Sequence, residues 1–456
     1  MNTMNAVAGR RSSVLGRSFQ RILPLASHAR GVHVWDEQGK PYLDFCGSAA
    51  ANFIGHGVEH IADAVREQMS TLEFVHSSLF TTSLAEEYAQ ELLEFAGPNF
   101  HGGSVYFTCG GSESVETAIK LARQFQVETG QKERYKVLSR KQSYHGSTLG
   151  ALSVSGNQRR RQMYLPMVRE FAHASAPYCY RCQFECRDCA ARYAAEVERA
   201  IESSDGEAAA FIFEPVSGAT LGAAVPPAGY VSQVAEICKS NGVLLIADEV
   251  MTGMGRTGKR FAVDHWGVAP DILVTAKGLS SGYTPLGAVI ASAHVTHAIA
   301  EGTGSFIHGF TYNAHPVSLA AGRAVLRYMQ DQNLIQAADS SKQNSTAWKL
   351  QRSLAQLLDL KNVGDVRGIG LLWGVEFVRE KSSKLPFAPE LNFGGRVAQA
   401  ARQRGLLVYP VQGCVDGTSG DHVLIAPPAV IAEQEVADAI QQLRQAVEEA
   451  AATDAA

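Results

Sequence analysis

The sequence predicts an α/β protein, with a large body on a mainly parallel central sheet and a smaller α/β body beside it. Two observations carry this. From about residue 100 to 295, short apolar β-prone runs alternate with segments of helical spacing. Buried apolar strands separated by amphipathic helices form parallel sheets covered on both faces. After residue 330 the pattern changes to a long polar helix, then Gly364–Val378, then a helical run from Ala432.

The elements follow in chain order. Val32–Leu43 reads as a hairpin turning at Gln38-Gly39, and Ser104–Thr108 as a short β-prone run. A Gly-rich turn follows, and then Val115, Ala118, Ile119 and Ala122 recur at the spacing of one helix face. Tyr135–Leu138 reads as a strand, and Ala208–Val216 as a buried one ending at Glu214-Pro215. Val231, Val234, Ala235 and Cys238 form a second helical stripe, closed by Asn241-Gly242. Strands are expected at Val243–Ala247, Ile272–Thr275 and Ala288–Ser292. These elements divide the chain into an N-terminal segment over 1–65 that packs with the small body, a large domain over 66–330, and a C-terminal small domain over 331–456.

Composition narrows the function classes. The chain has 456 residues, 46% hydrophobic and 19% charged, with a formal net charge of −4. That is enough apolar material for a sizeable core. It offers no basic field for nucleic acid or a membrane surface. No apolar run approaches the roughly 20 residues of a membrane span. Met1–Val34 contains no acid but has Arg10, Arg11, Arg17, Arg21 and Arg30. Such starts include organellar transit peptides; the reading taken here is a basic arm on a cytoplasmic protein. Cys46, Cys109, Cys238 and Cys414 are scattered singly, as in a reduced compartment.

Four motifs could carry chemistry. Cys109-Gly110-Gly111-Ser112 lies between a strand and a helix. Glycines let backbone approach an anion, and a helix start offers free N–H groups; a plain Gly–Ser turn has the same form. Leu245-Ile246-Ala247-Asp248-Glu249-Val250 delivers an acid at the end of an apolar strand, where α/β sheets place ligands. Asp248 could hold a protonated pyridine nitrogen, cap a helix or bind a metal. Val274-Thr275-Ala276-Lys277-Gly278 places a lysine at another strand end. Desolvation there would favour the neutral amine that Schiff-base chemistry needs; a surface lysine on a loop is the plainer alternative. Ser143-Tyr144-His145-Gly146 offers an aromatic that could stack on a flat ring or simply fill a turn.

Together and in this order, the segments GGSESVETAIKLAR, SYHG, FEPV, ADEVMTGMGRTG, DILVTAKGLSSGYTPLGAV and GFTYNAHP resemble the class III aminotransferases. These are enzymes of pyridoxal 5'-phosphate (PLP) fold type I. The resemblance runs from about Gly31 to about Val430, nearly the whole chain. It implies that 66–330 is the PLP-binding domain and that Lys277 carries the cofactor as a Schiff base and shuttles a proton. It implies that Asp248 pairs with the pyridinium nitrogen, Tyr144 stacks on the ring with His145 beside it, and Val250 packs the opposite face. Gly111 and Ser112 would hold the phosphate, and Glu214 would lie near Asp248 and the substrate. Thr311 would reach the phosphate of a neighbouring subunit, so a homodimer or homotetramer with shared sites is expected. Arg256 in the GRTG loop reads as structural.

Two departures refine the reading. After Glu214-Pro215-Val216 stands Ser217-Gly218-Ala219, where ornithine-type members have Gln-Gly-Glu. This resembles the β-alanine:pyruvate and ω-amine branch. Many members also place an arginine just before the late Pro-Pro to bind a substrate carboxylate. Here Leu424-Ile425-Ala426-Pro427-Pro428 has none, and no arginine occurs between Arg404 and Arg444. His422, or an arginine from elsewhere, is left as the candidate. Cys179, Cys182, Cys186 and Cys189 crowd together in a peripheral stretch. They could bind zinc, form disulfides or do neither, and no metal is assigned.

The expected activity is transfer of an amino group from an ω-amine or amino acid to a keto acid, pyruvate or 2-oxoglutarate. Racemases, decarboxylases and lyases share the same fold and site, and a non-catalytic PLP-binding protein is the alternative of another class.

Overall fold

The computed structural model describes residues 23–184 and 188–452, with short stretches at 6–7, 10–11 and 13–16. The basic start therefore lies largely outside the described residues, as does Cys186.

The large sheet has seven strands: β1 (Ser104–Thr108), β2 (Lys136–Arg140), β3 (His173–Ala174), β4 (Ala208–Phe213), β5 (Leu244–Asp248), β6 (Ile272–Thr275) and β7 (Gly287–Ala291). Their order across the sheet is β1-β7-β6-β5-β4-β2-β3. Five neighbours run parallel in sequence from β6 to β3, and β7 alone runs against both strands beside it. The central strands are buried on both faces; every residue of β4, β5, β6 and β7 is buried. That is why they read as continuous apolar runs and not as alternating ones.

The helix Gly111–Glu128 supplies one cover. Val115, Ala118, Leu121, Ala122 and Phe125 form its buried stripe and pack in one cluster with Ile212, Ile246, Val274 and Val289 of the sheet. Parallel β2, β4, β5 and β6 all end at one edge. β1 ends at the same edge, because Thr108 pairs with Gly287 at the start of β7. Loops after β1, β2, β4, β5 and β6 therefore converge there.

Two smaller sheets flank this unit. An antiparallel sheet joins Val363–Ile369, Leu372–Phe377, Asp421–Ile425 and Tyr409–Gln412. The other brings Ala26–Arg30, His33–Asp36 and Pro41–Asp44 together with Leu406–Leu407. The hairpin turns at Gly39, whose φ is +77°, and Asp36 Oδ1 accepts the N–H groups of Gln38 and Lys40 across the turn. The C-terminal helix Glu433–Ala452 packs against Phe393–Gln403.

One element differs from the expectation. The stretch after residue 331 is not one long polar helix. It holds Leu334–Ala337 and Thr346–Ala355, entered through Asn333 and Asn344 in left-handed conformations. Asparagine tolerates that region, and the Ser345 hydroxyl then caps the second helix by accepting the Trp348 N–H. Among the described residues no helix is long and apolar enough to cross a membrane.

Candidate active site

The converging loops enclose a cavity of about 310 Å³ lined by Gly110, Gly111, Ser112, Tyr144, His145, Glu214, Asp248, Val250 and Lys277, among others. Eight of the nine site residues expected from the sequence thus share one cavity.

Asp248 is the last residue of β5 and is buried. Its Oδ2 lies 2.7 Å from His145 Nδ1, and its Oδ1 accepts the Val250 N–H at 3.1 Å. His145 is itself fixed, because its N–H donates to Ser155 Oγ at 2.8 Å. The next acid in the chain, Glu249, points elsewhere. It accepts the Val263 N–H at 2.9 Å and the Thr252 hydroxyl, and burial pushes its carboxyl up to about 7. Alternation along the strand decides which of the two acids meets the cavity.

Lys277 follows β6. Its φ of +44° is a left-handed conformation that side-chain-bearing residues rarely adopt. Such outliers cluster at active sites, where the surroundings over-determine them. Enclosure away from water is the largest influence on its amine and lowers the pKa to about 8. The nearby Asp248 and Glu214 carboxylates oppose that shift, while the Arg256 and Arg160 charges add to it.

The helix start is open to the cavity. A Cβ built on Gly110 meets nothing within 4 Å. Glu113 accepts the Cys109 N–H at 2.8 Å, and Ser112 Oγ accepts the Ser147 N–H at 3.0 Å. Gly146, with φ +142°, has no room for a side chain, since a Cβ there would sit 2.7 Å from Ala151 Cβ and 2.8 Å from Ser112 Oγ. The Tyr144 loop is thus pressed onto the helix start. Glu214, just past β4, accepts Gly218 N–H at 3.0 Å and Tyr144 N–H at 3.4 Å, and burial raises its pKa.

Thr311 is not brought to the cavity within one chain. It is exposed in the segment between the helices Ala293–Glu301 and Pro316–Asp331, beside Tyr312, whose carbonyl meets Cys109 Sγ at 3.6 Å. Arg256 is committed to architecture. Its guanidinium donates to the carbonyls of Asn52, Ala426 and Pro427 at 2.6–3.0 Å and to Leu371 at 3.4 Å. His422 cannot serve as a carboxylate clamp. It is fully buried, its Nε2 bonds Ala219 O at 2.8 Å, and burial lowers its pKa to about 3, so the ring is neutral. Sequence reasoning did not single out Ser155, Met251, Thr252 or Leu286. The last three lie in quoted segments, but nothing in their residue types marks them.

Of the crowded cysteines, Cys179 is exposed, Cys182 is half-buried and Cys189 is buried at the start of the helix Cys189–Glu202. Among the described residues no three His, Cys, Asp or Glu side chains converge to hold a metal ion.

The donor set fits pyridoxal phosphate: a desolvated lysine amine, an anchored acid and an open helix start at one sheet edge. Fold and site together define a PLP-dependent enzyme of fold type I. A family model described as aminotransferase class III matches residues 15–447, and the chain belongs to that family. The aminotransferase YodT of Bacillus subtilis (strain 168) is 39% identical over 419 residues, 91% of this chain and 93% of that one. A thermostable (S)-enantioselective omega-transaminase from Thermomicrobium roseum superposes with a TM-score of 0.87 at 38% identity, covering 94% of this chain and 93% of that one. The omega transaminase from Pseudomonas jessenii in complex with PMP gives a TM-score of 0.86 at 30% identity, with 94% and 93% covered.

Proposed function

We propose that this class III transaminase moves an amino group from an ω-amine or amino acid to a keto acid, pyruvate or 2-oxoglutarate. The observation that carries the reading is the gathering of Lys277, the anchored Asp248 and the open helix start in one cavity of a chain that belongs to the class III aminotransferases. The omega-transaminase neighbours support the donor class.

Bound pyridoxal phosphate supplies an electron sink for bonds at the amine-bearing carbon. The chain supplies the rest. Lys277 Nζ would hold the cofactor and, as a free amine, would carry a proton between the amine-bearing carbon and the cofactor. With a pKa near neutrality it suits both directions of that transfer. Asp248, oriented by His145 Nδ1 and Val250 N–H, holds a proton at the ring nitrogen. The backbone of Gly111 and the hydroxyl of Ser112 take the phosphate at the helix start. Tyr144 and Val250, both on the cavity wall, would pack against the ring, and buried Glu214 would lie near the substrate.

The same reading makes the protein a homodimer or homotetramer in which Thr311 serves the neighbouring subunit's phosphate. Exposed apolar side chains beside it, Ile307 and Tyr312, support a covered surface. It also divides the chain into a PLP-binding body over 66–330 and a small body from 1–65 and 331–456; the pairing of Leu406–Leu407 with Leu43–Asp44 supports that division.

The test is the visible spectrum of the purified protein before and after β-alanine or another ω-amine, and then after pyruvate. Bleaching by the amine and recovery with the keto acid is the expected result. A yellow protein indifferent to a broad amine panel would overturn the transaminase reading.

A further inference from the structure

A keto acid brings a carboxylate next to its reacting carbonyl. Placing it in a small cavity that already holds Glu214 and Asp248 requires a cation, since an unpaired desolvated charge is costly. Among the described residues lining the cavity, Lys277 is the one Lys or Arg, and it is occupied by the chemistry. His422 is neutral and Arg256 is filled by carbonyls.

The run Arg159-Arg160-Arg161 follows the Tyr144 loop in sequence on a short turn. Asn157 Oδ1 accepts the Arg160 N–H at 3.2 Å, and Arg159 donates to Gln412 Oε1 at 2.7 Å, so the turn is fixed at both ends. Arg161 is buried, whereas Arg160 is half-buried with its guanidinium 4.3 Å from the centre of the Tyr144 ring. Tyr144 lines the cavity; Arg160, against that ring, is not itself on the cavity wall. Among the described residues no carboxylate lies within ion-pair distance of Arg160, unlike Arg323 or Arg367, each paired with two acids. Stacking on an aromatic face leaves the N–H edge of a guanidinium available for a carboxylate fork. Its charge also acts on the Lys277 amine, after the larger effect of enclosure.

We propose that Arg160 receives the carboxylate of the keto-acid acceptor. This rests on the transaminase reading above and adds a residue to it: the clamp stands beside the stacking tyrosine and not before the late Pro-Pro. Carbonyl acceptors without a carboxylate gain nothing from Arg160.

The test uses the holoenzyme converted to its amine form by 1-phenylethylamine or β-alanine. Single-turnover recovery is then followed against pyruvate and against butanal, for wild type, Arg160→Met and Arg160→Lys. Losing a charge-assisted two-point contact should raise half-saturating pyruvate by roughly 10- to 100-fold in Arg160→Met. Butanal recovery should fall far less than pyruvate recovery, and Arg160→Lys should restore part of the pyruvate affinity. Pyruvate saturation within twofold of wild type in Arg160→Met would overturn the assignment. So would an equal loss with both carbonyls, which would mean that Arg160 only holds Tyr144. Wild type that recovers with no keto acid, 2-oxoglutarate included, would overturn the acceptor reading itself and the clamp with it.

Discussion

His145 Nδ1 and Asp248 Oδ2 lie 2.7 Å apart, and both side chains are buried at the edge of the sheet where five loops meet. Ser155 fixes the histidine from behind, and the Val250 N–H takes the other carboxylate oxygen. The acid therefore has one orientation before any ligand arrives, which is the condition for a charge to act without reorganising.

Replacing that charge while keeping its shape tests the arrangement. Asp248→Asn should lower turnover by roughly 100-fold or more, the scale seen when one preorganised electrostatic partner is removed. His145→Ala should lose less, because the carboxylate remains. Steady-state rates with a common donor and pyruvate check both. Asparagine at near-wild-type turnover would take the charge out of the mechanism.

Lys277 gives a pH dependence with a definite sign. Its pKa is lowered from 10.5 to about 8, so the neutral amine appears as pH rises through about 8. At pH 8 roughly half the amines are neutral, against well under a hundredth for an ordinary lysine. The rate at which cofactor-free protein captures added PLP should rise with pH, with its midpoint near 8, and level off above. A midpoint near the ordinary 10.5 would contradict the desolvated amine. Lys277→Ala should bind PLP without covalent capture and lose at least about 100-fold in turnover, the contribution of a positioned acid–base group.

Much of this was legible in the sequence, for physical reasons that also mark where legibility stops. Strands β4, β5 and β6 announced themselves because a sheet covered on both faces needs unbroken apolar runs. Asp248 and Lys277 each have a plain structural reading alone, as a cap and as a loop lysine, and it is the order of the motifs together that marks them. The break at Asn333 was hidden, since only its left-handed backbone separates the helix ending at Asp331 from the one starting at Leu334. His145 was placed beside the ring by resemblance, yet its bond to Asp248 spans 103 residues, and no local pattern encodes such a contact. Ser155 was missed for the same reason: the fold brings its hydroxyl to the backbone N–H of His145, and nothing in the residue types between them marks that contact.

Arg256 should matter chiefly for stability, its charge being a smaller influence on the Lys277 amine than enclosure. Its guanidinium ties residue 52 to residues 426 and 427, across the N-terminal and C-terminal parts of the chain. Arg256→Met would leave these buried carbonyls unpaired, at about 1–3 kcal/mol each where no water can replace the donor. The expected result is a thermal midpoint lower by several degrees with single-turnover rates close to wild type in the folded fraction. An unchanged midpoint would mean that the carbonyls find other donors.

Thr311 tests assembly and site together. In one chain it is exposed and absent from the cavity wall, so its effect on the cofactor requires a second chain. One lost hydroxyl hydrogen bond is worth about 0.5–1.5 kcal/mol. Thr311→Ala should therefore weaken PLP binding by roughly 2- to 12-fold while leaving the oligomer mass unchanged. Equilibrium dialysis of PLP and light scattering on the same samples separate the two effects. Weaker binding in an intact oligomer places Thr311 at a neighbour's phosphate. Unchanged PLP affinity in a proven dimer removes it from the site, and weaker binding in a protein that stays monomeric would show that it reaches the cofactor of its own chain.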